Sequence, residues 1–162
     1  MDDHNPDLGF LTHIETVRFS GSIARDEVLS SLASKAVAAG WAKPGYPEAL
    51  LAREAAYPTG LHARGMDLAI PHADPEWTLV PALVVGILQQ PASFQPMGGQ
   101  GPEVLATFVL LLVIPSADAH VEFLRALTGF IEDQRLLEEL GRTQNVELLT
   151  EYLRSELQPR TT

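Results

Sequence analysis

The chain has five histidines and no cysteine. The missing thiol removes disulfides, thiol catalysis and thiolate metal sites. Histidine chemistry is therefore the first to consider. His4 and His13 stand in an acidic leader and read as solvated residues. His62 lies in a turn-rich stretch just ahead of an apolar run, where it can border a site or simply face water. His72 closes the segment "LAIPHAD" (68–74), in which a strand-like run ends in Pro71-His72 and an acid, Asp74, follows. His120 sits four residues after Ser116, in the first turn of a predicted helix.

The placements of His72 and His120 differ from the rest. Strand ends are where α/β folds present reactive groups, and the proline holds the preceding residue extended. A helix N-terminus favours an anion and disfavours an imidazolium, and neutral imidazole is the nucleophilic form. A histidine at a strand end and another at a helix start can meet around one anion; the alternative is two ordinary surface histidines. Arg53, inside "LLAREAA", has the planar fork that suits phosphate oxygens. It reads equally as a solvated helix residue or a partner of Glu54 or another nearby acid. A zinc site built from His72, Asp74 and His120 is a further possibility, although no HExxH or comparable spacing supports it. No Gly-x-Ser-x-Gly elbow occurs. "GGQG" (98–101) lacks the Lys-Ser/Thr of a P-loop and reads as a turn.

The elements that must position these residues follow from periodicity. "TVRFS" (16–20) is a candidate first strand. Apolar residues at Val28, Leu29, Leu32, Ala36 and Val37 predict a helix over 24–39, stopped by Gly40. A second helix is predicted from about Pro47 through "EALLAREAA". "YPTGLHARG" (57–65) reads as a loop, "LAIPH" as a short strand, and "PALVVGIL" (81–88) as a buried strand with an edge proline. "SFQPMGGQGP" reads as a loop around a short extended piece. "EVLATFVLLLVIP" predicts a central strand buried on both faces. Ser116 is a candidate N-cap for a helix whose apolar stripe is Val121, Leu124, Leu127 and Ile131. "DQRLLEELGR" and "NVELLTEYLRSEL" predict two further helices, with Asn145 capping the last. The pattern is α/β with a helical C-terminal third.

At 162 residues the expectation is one domain, with a loose leader at 1–14, the domain at 15–157 and a tail at 158–162. Lys and Arg total 11 and Asp and Glu 21, a net charge of −10. That surface repels a phosphate backbone, so no nucleic-acid partner is expected, and it suits a basic protein partner. The first residues lack the basic and apolar regions of a signal peptide. The longest apolar run, 104–114, is shorter than the roughly 20 residues a membrane span needs. A cytoplasmic location is expected.

In order and at these distances, "AREAAYPTGL", "LAIPHAD", "SFQPMGG" and "VLATFVLLLVIPSADAHVEFLRALTGFIED" resemble the enzyme IIA domains of the sugar phosphotransferase system. The fructose–mannitol class fits best, and within it the galactitol-type members, which share the "YPTGL" loop, the "PH-x-D" end and the "F-x-x-MG" segment. The resemblance implies a mixed β-sheet flanked by helices. It places the family's phosphoacceptor on His72, its second active-site histidine on His120 and its arginine on Arg53. Asp67 stands where the family usually shows glycine, and Val121 where leucine is usual.

The implied activity is that of a phosphocarrier, which needs no metal or other cofactor. It accepts a phosphoryl group from the histidine-containing phosphocarrier protein and passes it to a sugar-specific enzyme IIB. The membrane is then met only indirectly, through the transporter complex. A regulatory module read through its phosphorylation state, or a metal-dependent hydrolase, are the competing readings. Whether His62 or Asp74 contributes is left open by the sequence, as are the sugar and the oligomeric state.

Overall fold

The computed structural model describes residues 12–63 and 66–157. Most of the expected leader (1–11), the expected tail (158–162) and the end of the "YPTGLHARG" stretch (64–65) lie outside the described residues. Five strands form one mixed sheet: β1 (Ile14–Phe19), β2 (Gly60–Leu61), β3 (Leu68–Ala69), β4 (Ala82–Phe94) and β5 (Val104–Val113). Their order is β1-β4-β5-β3-β2. β1 runs parallel to β4 and β3 parallel to β5, whereas β4–β5 and β2–β3 are antiparallel.

The helices are α1 (Arg25–Ala38), α2 (Tyr46–Ala56), α3 (Ala117–Glu132), α4 (Gln134–Thr143) and α5 (Val146–Leu157). Strand alternation sends β4 and β5 side chains to two cores. Leu83, Val85, Phe108 and Leu112 pack with α3, α4 and α5. Val84, Leu88, Val109 and Leu111 pack with α1 and α2. The continuous apolar run of β5 is explained by its place: it is the middle strand, with a helical layer on each face.

Local signals account for the helix ends. Gly40 takes φ +83° just beyond α1, and the Trp41 amide returns to the Ala36 carbonyl at 2.9 Å, the left-handed stop that glycine adopts at low cost. Pro47 occupies the first turn of α2. Ser116 Oγ accepts from the Ala119 amide at 3.2 Å, and Asn145 Oδ1 accepts from the Glu147 amide at 3.0 Å, so both expected caps are made.

Three expectations need correction. β4 does not stop at Leu88 but runs to Phe94, so Ser93 and Phe94 belong to the sheet and not to a loop. The reason is a bulge. Ile87 faces Phe108 and Ala92 faces Ala106, so β4 spends extra residues there, and Gln89, Gln90 and Pro91 are left exposed. A proline is tolerated where it owes the ladder no N–H. The buried face of α3 is Ala119, Phe123, Ala126, Leu127 and Phe130, while Val121 is 64% exposed. Of the expected stripe Leu127 is buried and Leu124 and Ile131 lie partly buried against the same core, so only Val121 falls outside it; the centre of the buried face is shifted to the phenylalanines, which pack with α4 and α5. Finally, "YPTGL" is not all loop, because Gly60 and Leu61 pair with Ala69 and Leu68. A two-residue ladder is too short to show a period.

Gly60 is there because nothing larger fits. A Cβ on it would sit 2.7 Å from the Gln95 carbonyl oxygen and 2.9 Å from Val104 Cβ. Gly60→Ala is therefore expected to destabilise the fold by about 1–3 kcal/mol through overpacking. The check is a lowered urea midpoint at unchanged slope; an unchanged midpoint would show that the β2 turn gives way freely.

Candidate functional site

β3 ends at Ala69, but the backbone beyond it stays pinned. The Ile70 amide donates to the Thr59 carbonyl at 3.2 Å, and the Leu112 amide donates to the Pro71 carbonyl at 3.0 Å. His72 thus leaves the sheet from a segment held between the chain before β2 and the far end of β5. Its Nδ1 lies 3.0 Å from the Ile70 carbonyl. A carbonyl only accepts, so Nδ1 carries the proton and Nε2 keeps the lone pair.

His120 arrives from the first turn of α3, where its amide donates to the Ser116 carbonyl at 3.2 Å. The two imidazoles meet edge to face, with centroids 4.1 Å apart. Arg53 comes from the last turn of α2. Its Nη1 donates to Asp74 Oδ1 at 3.2 Å, and its guanidinium carbon lies 4.5 Å over the Tyr57 ring. His72, His120, Arg53 and Asp74 line one cavity of about 230 Å³, with Ser116 and Val121 at its wall. That is below the roughly 300–1,000 Å³ of a drug-sized ligand pocket, and suits a small anionic group. A larger open crevice of about 960 Å³ lies between β1 and α5, lined by Arg18, Gln144 and Arg154 among others, and contains none of the three sequence-singled residues.

Electrostatics keep both rings neutral at pH 7. His120 is held down at about 4, first by burial and then by the neighbouring His72 and the Arg53 charge. His72 is lowered too, mainly by burial, against which the Ile70 carbonyl pulls. Neutrality matches the expectation drawn from the helix start, but burial is its main cause. Both rings are then hydrogen-bond donors and potential nucleophiles beside a permanent cation. A phosphoryl group fits that set: one nitrogen lone pair to bond phosphorus, one imidazole N–H and one guanidinium for its oxygens. Among the described residues, no three His, Asp or Glu side chains are placed to hold a metal ion.

The other histidines go elsewhere. His62 does not line the cavity. It is exposed, with Nδ1 3.1 Å from Asp67 Oδ2 and Nε2 3.1 Å from the Pro102 carbonyl. Both partners accept from a protonated ring, and its pKa is raised, by the Pro102 carbonyl first and then by Asp67. Asp67 is thus used at this bridge. His13 packs edge-on against Trp41, with centroids 5.8 Å apart. His4 lies outside the described residues.

Two supporting groups escaped the sequence reading. Glu54 is not a partner of Arg53. It is 2% exposed and accepts from the Thr59 amide at 2.8 Å and the Thr59 hydroxyl at 2.9 Å. Its pKa is raised by burial, against the Thr59 bonds and the Arg25 charge. This latch ties the end of α2, which bears Arg53, to the segment that holds Ile70. The pairing of Arg53 with Asp74 is the second. An alternating polar and apolar helix pattern cannot distinguish a buried glutamate from a solvated one, so neither was visible.

The fold is a mixed sheet flanked by helices, and its cavity brings two histidines and an arginine together around a space that suits a small anion. The chain matches the family "Phosphoenolpyruvate-dependent sugar phosphotransferase system, EIIA 2" over residues 11–156, and it belongs to that family. It is an EIIA component, a phosphotransferase that carries phosphoryl groups.

The galactitol-specific EIIA component of the phosphotransferase system of Escherichia coli is 28% identical over 134 residues, covering 81% of this chain and 89% of that protein. A multiphosphoryl transfer protein of Xanthomonas campestris pv. campestris is 31% identical over 138 residues, 85% of this chain but 16% of that protein. In structure, the chain is similar to enzyme IIAMTL in its complex with phosphorylated enzyme IIBMTL from Escherichia coli (TM-score 0.65, 23% identity, 85% of this chain and 94% of that one). It is also similar to the nitrogen regulatory protein IIA-Ntr of Neisseria meningitidis (TM-score 0.62, 21% identity, 88% and 94%). Those likenesses establish the fold, and the expected mixed sheet flanked by helices is borne out. Among the described residues no helix is long and apolar enough to cross a membrane.

The lowered histidines make stability depend on pH with a definite sign. His120 ionises near 6.5 when unfolded and near 4 when folded. Between those values the unfolded chain binds a proton that the folded chain refuses, so stability falls as pH drops from about 6.5 to about 4 and pays no such cost above. His72 acts in the same sense. Glu54, raised by burial, acts oppositely, its contribution being lost as pH rises. Urea midpoints measured from pH 7 to pH 4 should therefore fall more steeply for the wild type than for His120→Gln. Parallel curves would contradict the buried, neutral ring.

Proposed function

We propose that this EIIA accepts its phosphoryl group on Nε2 of His72 from the histidine-containing phosphocarrier protein and hands it to a sugar-specific enzyme IIB, in the uptake of galactitol or a related polyol. The observation that carries the reading is the bond from His72 Nδ1 to the Ile70 carbonyl, beside a second neutral imidazole. It supplies a lone pair at one fixed nitrogen without a base having to remove a proton. The galactitol relative supports the substrate class. The IIA–IIB complex of a fold relative supports the kind of acceptor.

In the transfer, the donor's P–N bond breaks and its electron pair stays on the donor nitrogen. The His72 Nε2 pair forms the new P–N bond, while Nδ1 keeps its proton. Charge on the three equatorial oxygens is met by Arg53 and His120. A dianion next to His120 favours the protonated ring, so His120 becomes a stronger donor as the group arrives. The reverse exchange, with IIB as acceptor, discharges the site. The chain works in the cytoplasm in this reading, touches the membrane only through the transporter, and uses its net charge of −10 to steer a basic partner.

His72→Ala is expected to abolish labelling from phosphoenolpyruvate through the general phosphotransferase proteins. His120→Ala and Arg53→Lys should each keep the label on His72 but slow its transfer about a hundredfold, on the order of 3 kcal/mol for one aimed donor; lysine keeps the charge and loses the fork. Phosphorylated wild type freed of donor should hold its label at neutral pH, with or without chelator, and lose it when a suitable IIB is added. Chelator-sensitive release of inorganic phosphate would favour a metal-dependent hydrolase. A label that no IIB removes would favour a regulatory module.

A further inference from the structure

Asp74 sits two residues beyond His72, on the same cavity wall, and holds the one permanent cation among the lining residues. The contact is a single bond, Nη1 to Oδ1 at 3.2 Å, with the guanidinium stacked over Tyr57 and its Nε buried without a partner. An Arg–carboxylate pair that exploited the fork would use two parallel bonds. This one leaves the fork largely uncommitted, so exchanging the carboxylate for another anion forfeits little. Asp74 is 60% exposed in its side chain, and a carboxylate that lets go of Arg53 is taken up by water at once. The Tyr57 ring beneath the guanidinium is a contact that does not depend on which anion Arg53 holds.

We infer that Asp74 is a resident counter-anion, which Arg53 exchanges for the phosphoryl group each time the site is charged, and that it thereby sets how readily the site gives the group up. The inference rests on His72 as the acceptor. Its consequence is thermodynamic. In the empty protein the ion pair stabilises the discharged state. In the charged protein Arg53 turns to the phosphoryl oxygens, and a dianion and a carboxylate then share one small cavity, where like charges repel. Both effects push the equilibrium toward discharge, as a carrier between two partners requires. Asp74 is a positioning residue: it touches Arg53 and takes no part in the P–N bonds.

The test is the equilibrium between this protein and the phosphorylated histidine-containing phosphocarrier protein, read as the ratio of phospho to unphosphorylated forms by phosphorus NMR. Asp74→Asn keeps the size and removes the charge. It should shift the equilibrium about three- to tenfold toward the phosphorylated protein, the range expected when a mostly solvated pair and a close repulsion are lost together. The shift should come chiefly from slower back-transfer. Asp74→Glu, which restores the charge, should return the ratio toward wild type. An unchanged ratio in Asp74→Asn would make Asp74 a bystander and overturn the inference, as would a shift toward the unphosphorylated form. Equal slowing in both directions at a constant ratio would also overturn it, by making Asp74 a docking residue. If wild type carries no label on His72, the underlying reading fails, and this inference with it.

Discussion

The Ile70 carbonyl, turned so that it meets the Nδ1 proton of the histidine two residues later, is the contact on which the site depends. Pro71 is what makes it available. A residue before proline is kept extended, and here that residue continues the pairing to Thr59 while Pro71 accepts from Leu112. One short segment therefore ends a strand, aims an imidazole and chooses its tautomer. The rest of the fold can be read as support for that segment: β5 on one side, the Thr59–Glu54 latch on the other, and the capped start of α3 bringing the second ring to 4.1 Å.

Charge is arranged around this point with economy. The surface is strongly acidic, yet the cavity holds two neutral rings and an arginine. Burial keeps His120 near 4, so an empty site is not a fixed anion trap that would hold phosphate from solution tightly. In the proposed cycle positive charge grows only as the phosphoryl group arrives, when His120 gains a proton and Arg53 is released from Asp74. A site whose cationic character follows its cargo can both load and unload, which a permanently tri-cationic pocket could not do.

Much of this was legible in the sequence because it rests on local chemistry. The unbroken apolar run of β5 announced a strand covered on both faces. Ser116, Asn145, Gly40 and Pro47 announced helix ends, and the order of short motifs around His72 announced the family. What escaped depends on tertiary geometry. The extension of β4 through Pro91 needs a bulge that no period reveals. In α3 the expected Leu124, Leu127 and Ile131 do meet the core, but Val121 does not, because Val121 and Phe123 are equally apolar by type and only tertiary packing decides between them. Arg53 was visible as a possible fork, but its anchoring by Asp74, 21 residues on, was not. Nor was the burial of Glu54, which spacing cannot tell from a solvated acid.

The most direct measurement of the central claim is the identity of the phosphorylated nitrogen. Protein labelled with nitrogen-15 in its histidines, phosphorylated from phosphoenolpyruvate through the general phosphotransferase proteins, reports phosphorus–nitrogen coupling at the bonded atom. The expected result is coupling at Nε2 of His72, with Nδ1 still protonated and His120 unmodified. Coupling at Nδ1 of His72, at either nitrogen of His120, or at no histidine would contradict it.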